Sequence, residues 1–344
     1  MQLSKKIYPF LITIIILAII VLGFMIAGYM SLNTKINSDE DIVLIIEKNM
    51  SINQVLNELN KQQILTPNIF YKFVIKVYVK LTDAKLYAGV HKFNHNLSNA
   101  QLIVQLLSPD NLQSARVTFP EGITINRFAS ILQNRMNIDS VEFVNYCNDA
   151  DVCKRFGIEQ NSLEGYLKPV TYSFSLDANV PNIVEILVKE QLKEIKKYEN
   201  DIKKTKYSKH QILTLASIIE AETPVIAERK RVSGVYHNRL DKKMLLQADP
   251  TVQYALKERK KRLLYSDLAV DNPYNTYKYL GLPPGPINNP STSSIEAAVF
   301  PEKHNYLYFV AIGDGTNKHN FSTNYAQHLQ YRNVYKKNIE KRKK

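Results

Sequence analysis

The chain has 344 residues, enough for roughly two modest domains, and 45% of them are hydrophobic, which excludes wholesale disorder. Its net charge is +13, from 45 Lys+Arg against 32 Asp+Glu. This surplus favours an anionic partner or simply reflects a composition rich in lysine. The basic residues form no patch interleaved with aromatic residues, so the sequence does not indicate a nucleic-acid partner.

The N-terminal segment is the most apolar part of the chain. Residues 8–30 carry no charged side chain and follow Lys5 and Lys6. A membrane span needs about 20 apolar residues, so this run predicts a transmembrane helix with a cytoplasmic N-terminus and the rest of the chain exported. A cleaved signal peptide is the alternative, but Tyr29 and Met30 stand where small residues would be expected.

Beyond this helix, short apolar segments alternate with helical patterns, which predicts an α+β fold. We divide the chain into a cytoplasmic tail (1–7), the transmembrane helix (8–30), a polar linker (31–40), a small α+β module (41–112), an α+β catalytic region (113–338, core 207–335) and a basic tail (339–344).

Local patterns predict individual elements in the two α+β regions. In the small module we expect a strand at 42–47, a helix opened by Ser51, a helix or strand at 69–81, a strand at 86–93 and a helix opened by Asn99. In the larger region we expect a block that starts at 117–123 with a strand, followed by Glu121 and Gly122 and then a helix from Asn126. Further along we expect an exposed Lys-rich helix and linker at 193–209 and a helix at 324–338.

Cysteine and histidine do not indicate a metal site. Cys147 and Cys153 either form a disulfide outside the cytoplasm or remain two thiols. His91 and His95 are four residues apart, but they fall on a strand running into a turn, without a third ligand nearby. We therefore expect two solvated histidines and neither a metal nor another cofactor.

The segment 211–223 is the best candidate for chemistry. Its apolar residues Ile212, Leu215, Ala216 and Ile219 form one helical stripe, and Glu220 lies at the edge of that stripe. A carboxyl group beside apolar surface loses hydration when ionised, so we expect its pKa to rise, as a general acid for glycosidic cleavage requires. The alternative is a surface helix that happens to end in glutamate.

The segments that follow are rich in hydrogen-bonding groups. Asn238, Arg239, Gln247 and Asp249 suit sugar hydroxyls, although Asp249 followed by Pro250 is equally typical of a capped helix start. Tyr274 and Tyr277 either stack on sugar rings or pack in the core.

Taken together, these segments resemble the endolytic murein transglycosylases of the YceG-like family. The matching stretches are LEGYLKPVTYSF (163–174), LASIIEAET (215–223), VYHNRL (235–240), LLQADPTVQYAL (245–256), NPYNTYKYLGLPPGPINNP (272–290) and YLYFVAIGDGTNKHNFSTNYAQH (306–328). The chain departs from the family pattern at Lys168 and Val170 (usually Phe and Asp), at Ala248 (usually Thr) and at Ser291 (usually Gly).

The resemblance implies Glu220 as the catalytic glutamate and cleavage of the β-1,4 bond between N-acetylmuramic acid and N-acetylglucosamine, giving 1,6-anhydro ends without a cofactor. The matched segments also contain our candidate substrate-binding residues: Glu164, Tyr166, Glu222, Asn238, Arg239, Gln247, Asp249, Tyr274, Asn275 and Tyr277. The module 41–112 is similar to the family's LysM-like domain. Peptidoglycan strands, the cytoplasmic membrane and cell-wall synthases are the implied partners.

Two other functions stay open at this point. A muramidase-type hydrolase would need a route for water and normally a second carboxylate, for which Glu164, Glu222 and Asp249 are candidates. A non-enzymatic wall-binding or division scaffold would need only the small module and would leave the segment around Glu220 without a role.

Overall fold

A computed structural model describes residues 4–47, 49–65, 69–82, 84–256, 260 and 262–343. Residues 1–3 of the predicted cytoplasmic tail and Lys344 of the predicted basic tail lie outside the described residues. The chain divides into two compact units: Met1–Ala115 with Ser173–Ala178, and Arg116–Tyr172 with Asn179–Lys344. Both helices and antiparallel strands are present, which confirms the α+β class.

The first unit begins with helix α1 (Ser4–Asn33). Its stretch Thr13–Asn33 has a mean hydropathy of 2.6 and is almost entirely exposed, so by length and composition it is able to cross a membrane. A signal sequence would have the same properties.

A small sheet and three helices form the rest of the first unit. Strand β1 (Ile42–Ile46) pairs antiparallel with β2 (Gly89–Phe93), and alternate residues of β1 are buried as expected for a half-buried strand. The helices are α2 (Ile52–Lys61), α3 (Ile69–Thr82) and α4 (Asn99–Leu106), and Ser51 and Ser98 begin α2 and α4 with capping boxes. The strand at 42–47 and the helix opened by Ser51 are confirmed.

Three predictions for this unit need correction or completion. Segment 69–81, predicted as helix or strand, is a helix. The strand predicted at 86–93 begins only at Gly89, whose φ of +134° is accessible mainly to glycine. His91, expected to be solvated, is fully buried and stacks on Phe93 at a ring-centroid distance of 5.9 Å.

A further two-stranded sheet joins β3 (Ser114–Thr118) and β4 (Thr171–Ser175). The strand expected to start at Val117 begins earlier, at Ser114, and ends at Thr118. After Thr118 the chain turns instead, because Gly122 adopts a φ of +70° and its N–H donates to the carbonyl of Asn289 (3.0 Å). A left-handed residue cannot continue an extended strand.

The second unit is mainly helical. In chain order its helices are α5 (Ile125–Met136), α6 (Ser140–Cys147), α7 (Ala150–Arg155), α8 (Val180–Lys196), α9 (Glu199–Ile202), α10 (Lys209–Glu222), α11 (Arg229–Asp241), α12 (Asp249–Ala255), α13 (Thr292–Val299) and α14 (Tyr325–Lys343). Strands β5 (Tyr308–Ala311) and β6 (His319–Ser322) form an antiparallel hairpin ahead of α14.

Helix α10 is the centre of this unit and carries Glu220 in its last turn. Every residue from Ile212 to Ile219 is buried, so the single apolar stripe expected from the sequence belongs to a helix buried on all sides. Its polar members are bonded locally, since Thr214 Oγ1 donates to the carbonyl of His210 and Ser217 Oγ to that of Thr214. A helix buried this completely holds its terminal carboxylates in fixed positions.

Two other expectations differ from the structure, and one of the two alternatives left open for the cysteines is found. Segment 193–209 holds the end of α8 and the short α9, with Ile195 and Ile202 buried, and is not one exposed helix and linker. The last helix extends to Lys343 and not only to residue 338. Cys147 and Cys153 are both buried free thiols, and burial raises the pKa of Cys153 to about 11.

Candidate active site

The carboxylate of Glu220 lies where the end of α10 meets the beginnings of α11 and α13. Arg229, the first residue of α11, donates from Nη2 to Glu220 Oε1 at 2.7 Å. Ser291 at the N-cap of α13 donates to Oε2 from its backbone N–H (3.0 Å) and from Oγ (2.5 Å). The side chains of Glu220 and Arg229 are only 5% and 4% exposed, so solvent screens this ion pair weakly.

The apolar residues of α10 therefore place Glu220, but they do not surround its charge. We expected the carboxyl to face apolar surface, and the structure corrects this: both oxygens accept hydrogen bonds, from a guanidinium, an amide and a hydroxyl. Such donors stabilise the ionised carboxylate, as an oxyanion hole stabilises developing charge.

Asn289 joins the loops that bring Ser291 and Gly122 to Glu220. Its fully buried side chain accepts from the backbone N–H groups of Gly165 and Leu167 (both 2.9 Å) and donates to the carbonyl of Ile123 (3.0 Å). Gly122 approaches Glu220 closely, because a Cβ there would lie 3.1 Å from Glu220 Cγ. One amide thus fixes loops from three parts of the sequence around the carboxylate.

A cleft of about 730 Å³ opens beside Glu220 within the second unit. Its lining includes Glu121, Gly122, Glu164, Glu220, Asp249 and Tyr254. Of our candidate residues, the cleft brings Glu220, Glu164 and Asp249 together. A cleft of this size lined by carboxylates and an aromatic side chain suits a sugar chain, which offers hydroxyl groups and apolar ring faces.

Glu164 is the most strongly desolvated carboxyl of the cleft. Both its oxygens accept from the backbone N–H of Ile125 at the start of α5 (3.2 Å each), and Oε1 also accepts from Asn289 Nδ2 (2.8 Å). Burial raises its pKa to about 8, although these hydrogen bonds oppose the shift. Near neutral pH Glu164 therefore carries a proton for much of the time.

Glu222 lies two residues beyond Glu220 and has different partners. Tyr236 of α11 donates its hydroxyl to Glu222 Oε1 at 2.8 Å. Burial is the main cause that raises the pKa of Glu222 to about 7; the Tyr236 hydroxyl opposes the shift and the charge of Asp249 adds to it. Glu220 and Glu222 thus point in separate directions.

Asp249 and Tyr254 line the cleft near α12, and each contacts a further tyrosine. Asp249 is the first residue of α12, but its carboxylate caps nothing, so the capping role considered for it is wrong. Its Oδ1 instead accepts from the hydroxyl of Tyr277 at 2.5 Å. Tyr274 packs on Tyr254 with ring centroids 4.9 Å apart, and its ring is partly buried.

The remaining candidates are bonded within the protein. Asn238 Nδ2 donates to the carbonyls of residues 304 and 306, Arg239 to those of residues 245, 246 and 307, and Asn275 Nδ2 to those of residues 268 and 270. Tyr166 shares a hydrogen bond with His210 (2.9 Å), and Gln247 is exposed with a φ of +50°. Substrate contact by these five residues stays a prediction.

Two residues that depart from the family pattern, Ser291 and Lys168, make contacts at the start of α13. Ser291 binds Glu220, and Lys168 Nζ donates to Thr292 Oγ1 at 2.5 Å while lying 3.3 Å from Glu194 Oε2. Both side chains of the Lys168–Glu194 pair are about one-tenth exposed. The substituted positions therefore support the same helix end that holds the carboxylate.

Our sequence reasoning missed Arg229, Asn289 and Tyr254 and gave Ser291 no role. Arg229 stands in a run of charged residues that resembles a solvated surface, and Asn289 stands in a Pro-rich turn. Their partners are up to about 170 residues away in sequence, so no local pattern signals the contacts. Tyr254 falls within a matched motif, which was the available signal.

Comparisons with known proteins identify the family of this chain. The model of the YceG-like family matches residues 44–334. An endolytic murein transglycosylase of Bacillus subtilis is 32% identical over 81% of this chain and 81% of its own length. One of Streptococcus pneumoniae is 26% identical over 85% of this chain and 59% of its own length.

A solved structure agrees as well. The crystal structure of a YceG-like protein from Listeria monocytogenes has 34% sequence identity and a TM-score of 0.59. The match covers 85% of this chain and 99% of that one. The chain described here therefore belongs to the YceG-like family.

Proposed function

We propose that this protein is an endolytic peptidoglycan lytic transglycosylase, a carbon–oxygen lyase that cleaves the β-1,4 bond between N-acetylmuramic acid and N-acetylglucosamine. The observation that carries the proposal is the nearly buried Glu220, held by Arg229 and Ser291 beside a cleft of about 730 Å³. The activity named for the Bacillus subtilis relative supports it.

In the first step Glu220, in its protonated form, donates its proton to the glycosidic oxygen. The bond between that oxygen and C1 of the muramic acid then breaks, and C1 gains oxocarbenium character. Proton donation leaves a carboxylate on Glu220. Arg229 and the N–H and hydroxyl of Ser291 stabilise that charge without having to reorganise.

In the second step the C6 hydroxyl of the same muramic acid attacks C1 and gives its proton to Glu220. A C–O bond forms within the sugar, the product is a 1,6-anhydro end, and the catalyst recovers its proton. One carboxyl thus serves as acid and then as base, so neither water nor a cofactor is consumed.

The cleft residues bind the glycan in this proposal. The Asp249 carboxylate, fixed by Tyr277, accepts hydrogen bonds from sugar hydroxyls, and Tyr274 with Tyr254 forms an aromatic surface for a sugar ring. Glu164 near neutral pH has a proton to donate to an acetamido or lactyl oxygen. Glu222, Asn238, Arg239, Gln247, Asn275 and Tyr166 complete the set of predicted binding residues.

We further propose that α1 is an uncleaved single-pass anchor in the cytoplasmic membrane, with its N-terminus inside. Nascent strands at the membrane surface are then the substrate, their elongation ends at the cut, and cell-wall synthases are partners. The module 41–112 acts as a LysM-like glycan-binding domain. A reporter fused to the C-terminus should be active only if it is of a kind that functions outside the cytoplasm. Activity of a reporter that functions only in the cytoplasm would contradict the proposed orientation of α1.

The chemistry is tested by mass spectrometry of purified glycan digested with the protein. Products ending in 1,6-anhydro-muramic acid support the lyase. Reducing muramic ends as the main product favour the muramidase alternative, which Glu164 and Asp249 in the same cleft as Glu220 make worth testing. Binding without any cleavage favours the non-enzymatic scaffold.

A further inference from the structure

Helix α3 has an apolar stripe with no partner among the described residues. Phe73, Val77 and Leu81 follow one another at intervals of four, so they lie on one side of the helix. They are 67%, 39% and 79% exposed. The opposite side is used for packing, since Tyr71 and Ile75 are buried in the core of the first unit.

A stripe of lysines runs beside the apolar stripe. Lys72, Lys76 and Lys80 are also spaced by four, and all three are exposed. With Ile52, Leu56 and Ile75 they line a groove of about 490 Å³ between α2 and α3, which has an apolar floor and a basic rim. The exposed surface of α3 is therefore half apolar and half cationic.

The beginning of α3 is hydrogen-bonded to the end of the apolar helix α1. The hydroxyl of Tyr71 lies 3.1 Å from Ser31 Oγ, and Asn99 Nδ2 donates both to that hydroxyl (3.0 Å) and to the carbonyl of Ser31 (3.0 Å). Ser31 belongs to the last turn of α1. If α1 spans a membrane, these contacts hold the start of α3 at the level where α1 leaves it.

We infer that α3 lies in the outer headgroup region of the membrane and binds anionic phospholipid. Its apolar stripe enters the acyl boundary, and its lysines face the lipid phosphates, the arrangement of an interfacial amphipathic helix. A lipid surface fits better than a glycan, because exposed Phe73 and Leu81 offer no hydrogen bonds to sugar hydroxyls. The inference rests on the proposed membrane anchor, but not on the proposed chemistry.

The chain contains no tryptophan, so Phe73→Trp creates a single fluorescent probe. The full-length variant is reconstituted into vesicles of phosphatidylglycerol and phosphatidylethanolamine with brominated acyl chains. The matched control is Ile45→Trp, an exposed position on β1 of the same unit. We expect bromolipids to quench the indole at position 73 more strongly than the indole at position 45, and its emission to be shifted further to the blue.

The lysines are tested by adding Lys72→Gln, Lys76→Gln and Lys80→Gln to the Phe73→Trp chain. Polybasic attraction requires anionic lipid, so we expect the excess quenching at position 73 to be lost in this variant and, for the parent, in phosphatidylcholine vesicles at high salt. Quenching at position 73 that is unaffected by both changes overturns the role of the lysines.

Three outcomes contradict the proposal, and they can be told apart. A chain that alkaline washing removes from the vesicles overturns the anchor and the inference together. A chain that remains anchored but shows equal quenching at positions 73 and 45 overturns the inference alone. If quenching is equal at the two positions and the triple variant also loses co-sedimentation with insoluble peptidoglycan, α3 is a glycan-binding surface and not a membrane-binding one. Glycan cleavage by the same vesicles reports separately on the proposed activity.

Discussion

Glu220 and Glu222 occupy the same helical turn and have opposite surroundings. Glu220 meets loops, at the first residue of α11 and the N-cap of α13, and lines the cleft. Glu222 meets a packed helix face through the hydroxyl of Tyr236. The first carboxylate has a cation and two further donors; the second has one neutral donor.

If Glu220 is the catalytic carboxyl, as we propose, desolvation alone does not identify it. Burial raises the pKa of Glu222 to about 7, which would suit a general acid, yet Glu222 faces protein. Structural networks also perturb pKa values, so a perturbed group needs a cleft to be a functional candidate. Glu220 has the cleft, and its donors stabilise the charge formed when it gives up a proton.

The largest expected effect separates the two carboxyls directly. Glu220→Gln keeps the shape of the side chain but cannot donate a proton, so we expect turnover of glycan to fall by ~10²–10⁴-fold while the protein folds normally. Glu222→Gln should retain part of its activity. Release of 1,6-anhydro fragments and far-ultraviolet circular dichroism measure the two properties.

A folded Glu220→Gln protein that still cleaves glycan at a near wild-type rate would make the assignment wrong. Glu222→Gln and Glu164→Gln would then decide which carboxyl replaces it. If Glu220→Gln and Glu222→Gln both fold normally and both lose activity, catalysis requires Glu222 as well as Glu220, although their contacts are separate.

The second effect concerns stability on the Glu222 side. The pKa of Glu222 is about 7 in the folded protein, above the usual 4.5. Its contribution to the free energy of unfolding is therefore fully present below pH 4.5 and is lost as the pH rises through 7. Glu222→Gln stays neutral and avoids this loss. Between pH 4.5 and pH 8, the free energy of unfolding of the variant should therefore rise relative to that of wild type by on the order of 2–3 kcal/mol, at about 1.4 kcal/mol per pKa unit.

Denaturant unfolding at several pH values measures this difference, and the variant–wild-type comparison cancels the similar contribution of Glu164. Glu142→Gln, at an exposed position on α6, is the control for the removal of one carboxyl group. A Glu222→Gln difference that does not change with pH would mean that the carboxyl is ionised in the folded protein throughout this range.

Much of the fold could be predicted from the sequence, because local rules decide it. The short apolar run 42–47 located β1, and Ser51 followed by apolar residues at helical spacing located the start of α2. Glu220 was found through its place on an apolar helix and the motif around it. These signals lie within a few residues of the feature that they indicate.

The environment of Glu220 could not be predicted in the same way. Arg229, Ser291 and Asn289 reach it or its loops only after α10, α11 and α13 have packed. The turn at Gly122 also depends on a distant partner, because the Gly122 N–H donates to the carbonyl of Asn289, which is far away in sequence. Long-range hydrogen bonds decided both cases.

The third prediction tests how tightly the loops enclose Glu220. Gly122→Ala places a side chain at a φ of +70°, which costs ~1–2 kcal/mol, and its Cβ would lie 3.1 Å from Glu220 Cγ. Gly157→Ala is a matched control, because its φ is +71° and nothing lies within 4 Å. Thermal unfolding should show a similar loss of stability in both, whereas only Gly122→Ala should lower turnover. Equal turnover in the two variants would contradict a close fit around Glu220.

The smallest expected effect concerns the hydroxyl of Ser291, where the family pattern has glycine. Ser291→Gly removes the 2.5 Å hydrogen bond to Glu220 but keeps the backbone N–H that donates to the same oxygen at 3.0 Å. Glycine also costs only a few tenths of a kcal/mol at an N-cap. A hydrogen bond to a charged group contributes ~1.5–3 kcal/mol, and the lower end applies here because the backbone N–H remains on the same oxygen. Turnover should therefore fall by about 10-fold with little change in stability.

Ser293→Ala is the matched control for Ser291→Gly. Arg229 Nη1 donates to Ser291 Oγ and to Ser293 Oγ at 2.5 Å each, but Ser293 makes no hydrogen bond to Glu220 among the described contacts. If the hydroxyl of Ser291 acts on Glu220, Ser291→Gly slows cleavage more than Ser293→Ala does. If it acts only by holding Arg229, the two variants lose turnover equally. A Ser291→Gly protein as active as wild type would assign the stabilisation to Arg229 and the backbone N–H alone.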